Sequence, residues 1–222
     1  MSVDEVYKLM QFIINKNQSG YLSPSEFNIV INQAQRNYFD LLLGELQQYQ
    51  YQRPQPRIGY SSNENSRNRL TPLIVGATLA VDLAGFSLYP DDYEQLDTMW
   101  TVSGYNKIRY AENNRLTSYL SSVIDPIESN PIYIIEQNGF RFFPNNIGQA
   151  VLYYVKTPSI INWAFTLDVN GRPIYNQLLS TQPVWHEQDM MQIISRALAM
   201  VGVNLQAPQL IQYSNDIKQV GD

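Results

Sequence analysis

The stretch from Ile132 to Phe143 has the sequence IYIIEQNGFRFF. Two runs rich in β-branched and aromatic residues, Ile132–Glu136 and Phe140–Phe143, flank the tripeptide Gln137-Asn138-Gly139. An Asn-Gly pair between two such runs is typical of a type I′ turn, which joins antiparallel strands. The stretch therefore predicts a β-hairpin, and with it an antiparallel sheet in the middle of the chain.

The predicted sheet extends on both sides of this hairpin. Further segments rich in β-branched and aromatic residues are Thr78–Leu83, Met99–Val102, Lys107–Ala111, Ala150–Lys156 and Trp163–Leu167. A second Asn-Gly turn follows in Val169–Gly171, and Arg115–Val123 allows one or two helical turns. The least polar window, Leu70–Tyr89, contains proline, glycine and aspartate, so we expect sheet core there rather than a membrane span, and no membrane partner. Residues 71–182 are thus predicted to form a β-rich insertion domain.

Two helices are predicted on the N-terminal side of this region. Ser2 and Glu5 form a capping box ahead of apolar residues at helical spacing, which predicts a helix over Val3–Asn15. The tetrapeptide Ser23-Pro24-Ser25-Glu26 combines an N-cap serine, a proline at the first helical position and a second capping box. An apolar stripe carries this second helix to about Gln50.

Helical spacing of apolar residues returns after Pro183, and a short terminal helix is predicted from Ala207 to about Gln219. Residues 1–52 and 183–222 are expected to pack together as one domain. The predicted fold class is α+β, in which N- and C-terminal helices form a helical bundle with a central antiparallel β-rich insertion.

Residues 53–70 have no apolar period and are rich in Gln, Asn, Ser, Pro and Arg, which predicts an exposed polar loop. Arg53, Arg57, Arg67 and Arg69 make this segment the one basic patch of the sequence. Long polar loops in compact proteins are often functional, so these four arginines are candidate interface residues.

The composition excludes several kinds of chemistry. The 222 residues include no cysteine and one histidine, His186, so thiolate metal sites, disulfides and cysteine nucleophiles are ruled out; we expect no catalytic residue, no cofactor and no enzyme. The formal net charge of -5 has the wrong sign for gripping a phosphate backbone. The 40 Asn and Gln residues and 16 Tyr residues favour a surface for protein–protein contact.

One calcium-binding motif is partly matched by Asn15–Glu26. Asn15, Asn17, Ser19 and Glu26 fall on the first, third, fifth and twelfth positions of an EF-hand loop. The loop has a single carboxylate and would hold a cation weakly, while its end is also explained as a helix start. We expect the helix start, and no metal site, and keep the four residues as a weak candidate.

Short phrases spread along nearly the whole chain carry a family resemblance. They are GYLSPSEFN (Gly20–Asn28), LYPDDY (Leu88–Tyr93), NPIY (Asn130–Tyr133), Phe143-Pro144, YYVKTP (Tyr153–Pro158) and VGVNL (Val201–Leu205). In this order they resemble the head-to-tail connector, or portal adaptor, proteins of tailed bacteriophages, and most closely the ring proteins of crAss-like short-tailed phages.

The resemblance implies a structural virion protein without catalysis. Such a protein forms a homo-oligomer, expected to be a dodecameric ring, under the portal protein; it extends the DNA channel, joins capsid to tail and contacts further tail or ring proteins. Viral DNA would pass through transiently and without specific binding, which suits an acidic protein. The acidic start Met1–Glu5 does not resemble a secretory signal, so we expect synthesis in the bacterial host cytoplasm and a final location in the virion.

Two segments are the candidate contacts of such a ring. We expect residues 207–222 to dock on the portal, through Pro208, Leu210, Ile211, Tyr213 and Ile217. The polar loop with its arginines is expected to meet a neighbouring ring or subunit.

Two alternatives remain open at this point. The β region could be a tail-associated module that binds carbohydrate or a receptor, with Trp163 and Trp185 as the aromatic platforms. The other alternative is a weak calcium-dependent module built on Asn15–Glu26.

Overall fold

The computed structural model describes residues 1–16, 20–51, 58–121 and 126–202. The helices in this part of the chain are α1 (Val3–Lys16), α2 (Pro24–Tyr51), α3 (Ile58–Leu70), α4 (Leu116–Leu120) and α5 (Glu187–Met200). The strands are β1 (Ile74–Ala80), β2 (Phe86–Leu88), β3 (Tyr93–Thr101), β4 (Arg109–Tyr110), β5 (Ile132–Glu136), β6 (Gly139–Phe143), β7 (Gln149–Lys156), β8 (Phe165–Leu167) and β9 (Pro173–Tyr175). Short 3-10 turns lie at Thr71–Leu73, Asn113–Arg115, Asn145–Ile147 and Gln177–Leu179.

The described residues fall into two compact units. The first combines residues 1–72 with 158–202 and contains α1, α2, α3, α5 and the hairpin β8–β9. The second is Leu73–Thr157 and contains the remaining strands and α4. The second unit is shorter than the expected 71–182 insertion, since residues 158–182 pack with the helices.

The two N-terminal helices begin at the predicted capping boxes. The Glu5 carboxylate accepts from the Ser2 amide at 2.8 Å, and the Ser2 hydroxyl accepts from the Glu5 amide at 3.3 Å. The same reciprocal pair joins Ser23 and Glu26, at 2.9 and 3.3 Å. Each box satisfies two backbone donors that a helix start otherwise leaves unpaired.

The core of the first unit lies between α1, α2 and α5. Its fully buried members include Val6, Met10 and Ile14 of α1; Phe27, Ile31, Ala34, Tyr38 and Phe39 of α2; and Met190, Ile193, Ile194 and Ala197 of α5. These positions recur at three- and four-residue spacing, as expected for helices that each bury one face. None of the helices among the described residues has the length and apolar character that crossing a bilayer requires.

An extended segment, Ser159–Trp163, is held to α2 by side-chain amides. Asn32 donates to the Ile161 carbonyl at 2.7 Å and accepts from its amide at 2.9 Å. Asn28 does the same for Trp163, at 3.2 and 2.8 Å, and Gln35 donates to the Ser159 carbonyl at 2.9 Å. We call Asn28, Asn32 and Gln35 the amide ladder, because they bond every second residue of the segment as a neighbouring strand would. Some of the many amides of this chain therefore act inside the fold.

The second unit is built from two sheets. One has the order β1-β7-β3, all antiparallel, and the other has the order β2-β6-β5-β4. Their shared core includes Met99, Tyr133, Phe140, Phe142 and Leu152. The predicted hairpin is present as β5–β6, with Glu136 paired to Gly139.

Gly139 is needed for a reason other than the predicted type I′ turn. It lies in β6 opposite Leu88, and the turn itself is Gln137-Asn138. A Cβ atom at Gly139 would stand 2.0 Å from the Ser87 carbonyl oxygen. The glycine therefore permits β2 to approach β6, which any other residue would prevent.

The expected fold class, with terminal helices forming a bundle around one antiparallel insertion, is wrong. The described chain is a mixed α+β structure whose strands form three sheets, one of them packed among the helices. Strands β4 and β5 pair in parallel, so the β region is not purely antiparallel. The physical reason is that residues 158–182 pack with the helices, and that the extended segment Ser159–Trp163 is held there by α2 side-chain amides, which apolar periodicity cannot indicate. The expected terminal helix from Ala207 lies outside the described residues.

The predicted exposed loop at 53–70 also differs from the structure, because Ile58–Leu70 is the helix α3. This helix has no apolar stripe; it is anchored by buried Leu70, by a hydrogen bond from the Ser66 hydroxyl to Glu45 at 2.5 Å and by Arg69. Polar anchors of this kind leave no hydrophobic period in the sequence.

Candidate functional site: exposed apolar and polar surfaces

An exposed apolar surface lies on the hairpin β8–β9 and the turn that follows it. Val169 and Leu178 are 101% and 95% exposed, and Leu167 and Leu179 are 65% and 68% exposed. We call these four residues the hairpin surface. Residues 158–184 carry only two charges, Asp168 and Arg172. Several strongly exposed aliphatic side chains within one short stretch of chain are consistent with a contact surface for another molecule.

The hairpin is held by aromatic stacking on its inner face. Trp163 stacks on Phe165 and on Tyr175, with ring centroids 6.0 and 5.6 Å apart. Its other neighbour is Tyr7 of α1, at 4.4 Å, and its indole N–H donates to Asp4 at 3.1 Å. A two-stranded hairpin alone is marginal in water, so these contacts fix it on the helices.

The tip of the hairpin is a tight turn over Asp168–Arg172. The Gly171 amide donates to the Asp168 carbonyl at 3.0 Å, and the Asp168 amide donates to Arg172 at 2.9 Å. Gly171 has φ of +76°, a conformation that glycine adopts without strain. This confirms the second predicted hairpin and places Val169 at its tip.

A cleft of about 660 Å³ lies beside the stacked rings in the same unit. Its lining includes Lys8, Tyr21, Arg172 and Tyr175, together with Asp4, whose carboxylate pairs with Lys8 at 2.6 Å. Asp4 and Lys8 neutralise each other, and Asp4 also holds the indole of Trp163. Asp4 therefore links α1 to the hairpin at the edge of this cleft.

A second cleft, of about 740 Å³, lies between the end of α3 and the start of α5. At its base Asp189, only 3% exposed, accepts from the Tyr38 hydroxyl at 2.6 Å. Arg69 donates to the same hydroxyl at 3.2 Å and lies 3.8 Å from the carboxylate. Burial, with the hydrogen bond to Asp189, raises the pKa of Tyr38 to about 12. These contacts form one network that joins α2, α3 and α5.

Several sequence-predicted site residues fall in described positions. Arg69 belongs to the network just described, and Arg67 lies beside it on α3. Glu26 acts as a helix cap, and hydrogen bonds from Ser23 lower the pKa of its carboxyl. Asn15 lies in the last turn of α1. The structure does not bring Arg67 or Arg69 together with the EF-hand candidates.

The remaining candidates lie outside the described residues. They are Asn17, Ser19, Arg53, Arg57, Pro208, Leu210, Ile211, Tyr213 and Ile217. Within the described ranges, no three His, Cys, Asp or Glu side chains are grouped as a metal site.

The two tryptophans named as carbohydrate platforms are buried. Trp163 and Trp185 are 4% and 6% exposed, and the Trp185 indole donates to Gln35 at 3.1 Å. A sugar ring needs an open aromatic face, so neither residue can serve as such a platform. His186 is exposed at the start of α5 and makes no side-chain cap.

Sequence reasoning missed the hairpin surface. A usable signal was present, because residues 158–184 combine many aliphatic side chains with two charges. It was overlooked since strand propensity alone does not tell a buried strand from an exposed one.

Two comparisons were made, with protein-family models and with the sequences of curated proteins. No protein-family model matches it. No curated protein has significant sequence similarity to it.

Proposed function

We propose that the chain is a structural virion protein, a head-to-tail connector that forms an oligomeric ring under the portal of a tailed bacteriophage. The ring would extend the DNA channel and join capsid to tail. The observation that carries the proposal is the hairpin surface, whose aliphatic side chains need a protein partner to leave water.

Two further features support this function. The order of the short phrases from Gly20–Asn28 to Val201–Leu205 resembles the connector family over nearly the whole chain. The net charge of -5 suits a channel that DNA must traverse without adhering.

The test is the solution mass of the purified protein, measured by light scattering alone and after mixing with the portal of the same phage. We expect a ring alone, or a monomer that assembles on the portal. A protein that stays monomeric and does not bind the portal would contradict the proposal.

The C-terminal segment offers a second test of the same function. Deletion of residues 207–222 is expected to leave a folded protein that no longer joins the portal. If immobilised portal still captures the protein that lacks residues 207–222, this segment is not the docking site.

A further inference from the structure

The sheet β1-β7-β3 has two edges that differ in how they are protected. On β3 the register with β7 shifts twice, between Tyr93 and Gln95 and between Leu96 and Thr98. The same strand carries Glu94 and Asp97, and its end is bonded by the Ile108 amide at 3.0 Å. Bulges, charges and covering segments are the usual protections against pairing with another chain.

Among the described residues, strand β1, at the other edge, has neither a bulge nor a charge, and β2 is the element that lies near it. The sequence of β1 is IVGATLA, with no charge and no proline, and its register with β7 runs unbroken over seven residue pairs. Natural sheets rarely leave a strand of this length and character at an edge unless something pairs with it.

The backbone groups of β1 that face away from β7 can be identified. The Val81 amide donates to the Gly148 carbonyl at 2.9 Å. Val81 and Gly148 are therefore a hydrogen-bonded pair, and the next pair along the strands is Ala80 and Gln149. Because bonded and non-bonded pairs alternate in antiparallel sheets, every second residue then points outward. The outward set is Ile74, Gly76, Thr78 and Ala80.

Room for an added strand lies alongside this edge. A groove of about 650 Å³ runs beside β1 and β2. Its apolar lining includes Leu79, Phe86, Leu88, Tyr89 and Pro90, and its one charged residue is Asp82, whose carboxylate accepts from the Ala84 and Phe86 amides. An extended segment in it would bond to β1 and place apolar side chains against these residues.

The hairpin β8–β9 offers one strand edge that fits. Asn176 donates to the Ala164 carbonyl and Asp168 donates to Arg172, so the same alternation turns the backbone groups of Phe165 and Leu167 outward on β8. On β9 the outward positions include Pro173, which has no N–H. Only β8 of this hairpin therefore has a complete edge, and it carries the exposed Leu167.

We propose that strand β8 of one copy adds to β1 of a second copy, with Leu167 and Val169 entering the groove beside β1. Both strands are uncharged, and both present outward backbone groups at two-residue spacing. The contact uses two different surfaces of the same chain, which is the kind of interface that closes into a ring. This inference rests on the proposed function and names the subunit contact of that ring.

The experiment compares the solution masses of the parent and four variants by light scattering, alone and with the portal. Thr78→Pro removes an outward N–H of β1, and Leu167→Asp places a charge on β8; both side chains are exposed. Each variant alone is expected to lose the assembly that the parent forms. Thr78→Val keeps the N–H, and Ile29→Asp changes an exposed residue on α2, so both controls should assemble like the parent.

Mixing the two variants gives the decisive result. Thr78→Pro protein retains an intact β8 and Leu167→Asp protein retains an intact β1, so an equimolar mixture should form heterodimers of twice the monomer mass. Assembly of either variant alone at the level of the parent, or a mixture that stays monomeric, would overturn the pairing. Circular dichroism of each variant checks that it remains folded.

These outcomes separate the inference from the proposed function. If the parent forms rings or binds the portal and both variants do the same, only the β8–β1 contact is refuted. If the parent neither assembles nor binds the portal, the connector function itself fails and the contact fails with it.

Discussion

Two extended segments of this chain, Ser159–Trp163 and β1, solve the same physical problem in opposite ways. Each has a row of backbone N–H and C=O groups that must find partners. The first is completed within the chain, by the amide ladder on α2. In the part of the chain that the structure describes, the second pairs with β7 alone. Side chains of α2 therefore satisfy the backbone groups of Ser159–Trp163, whereas the outward backbone groups of β1 are available to pair with another strand.

The largest loss of stability is expected when a residue of the amide ladder is removed. Asn32→Ala leaves the amide and carbonyl of Ile161 without partners, and Ile161 is buried, so we expect a loss of roughly 2–4 kcal/mol in unfolding free energy. Urea unfolding followed by the fluorescence of the three tryptophans, Trp163 among them, measures it. Gln33→Ala, on the exposed face of the same helix, should change stability by less than about 0.5 kcal/mol. Equal losses in the two variants would contradict the role of the ladder.

A smaller loss is expected where two strands approach each other most closely. Gly139→Ala puts a methyl group against the Ser87 carbonyl and should cost about 1–3 kcal/mol, because β2 must move away from β6. The matched control is Gly44→Ala, a helical glycine with open space around its Cβ, which should gain about 0.5–1 kcal/mol. Thermal unfolding of both proteins tests the opposite signs.

Helix caps are a second case in which side chains form hydrogen bonds with otherwise unpaired backbone groups. Ser23→Ala removes the acceptor of the Glu26 amide and should cost about 1 kcal/mol. Since Glu26 is engaged by Ser23, added calcium should leave the Tm of the parent and of Glu26→Gln unchanged. A calcium-dependent rise in the Tm of the parent that Glu26→Gln abolishes would restore the EF-hand alternative.

The smallest effect on stability is expected at the outward edge of β1. Thr78→Pro should change the unfolding free energy by less than about 1 kcal/mol, because the amide it removes faces away from β7. Chemical denaturation of the variant under the conditions used for Asn32→Ala gives the comparison directly. A loss as large as that of Asn32→Ala would mean that the Thr78 amide is already bonded within the chain.

The sequence predicted the features that depend on near neighbours. Both capping boxes and the hairpin β5–β6 involve residues a few positions apart, so their patterns are visible in the chain. The helix α5 was likewise expected from its apolar spacing.

Features that join distant residues could not be predicted in this way. The amide ladder links Asn28 to Trp163 across 135 positions, and a polar amide on a helix ordinarily indicates an exposed face. The same reasoning explains the error at α3, whose anchors Ser66 and Arg69 are polar. The hairpin surface was missed because exposure depends on what the helices leave uncovered.

The amide ladder also determines where sequence change can be tolerated. Its bonds go to main-chain atoms of Ser159, Ile161 and Trp163, which every residue type except proline supplies in full. The contact between α2 and Ser159–Trp163 therefore depends on the side chains of Asn28, Asn32 and Gln35, which are four and three residues apart. It does not depend on the identity of the exposed residue Ile160. Descendants of this chain can diverge along the segment and retain its path, provided that three amides on one helix are inherited together.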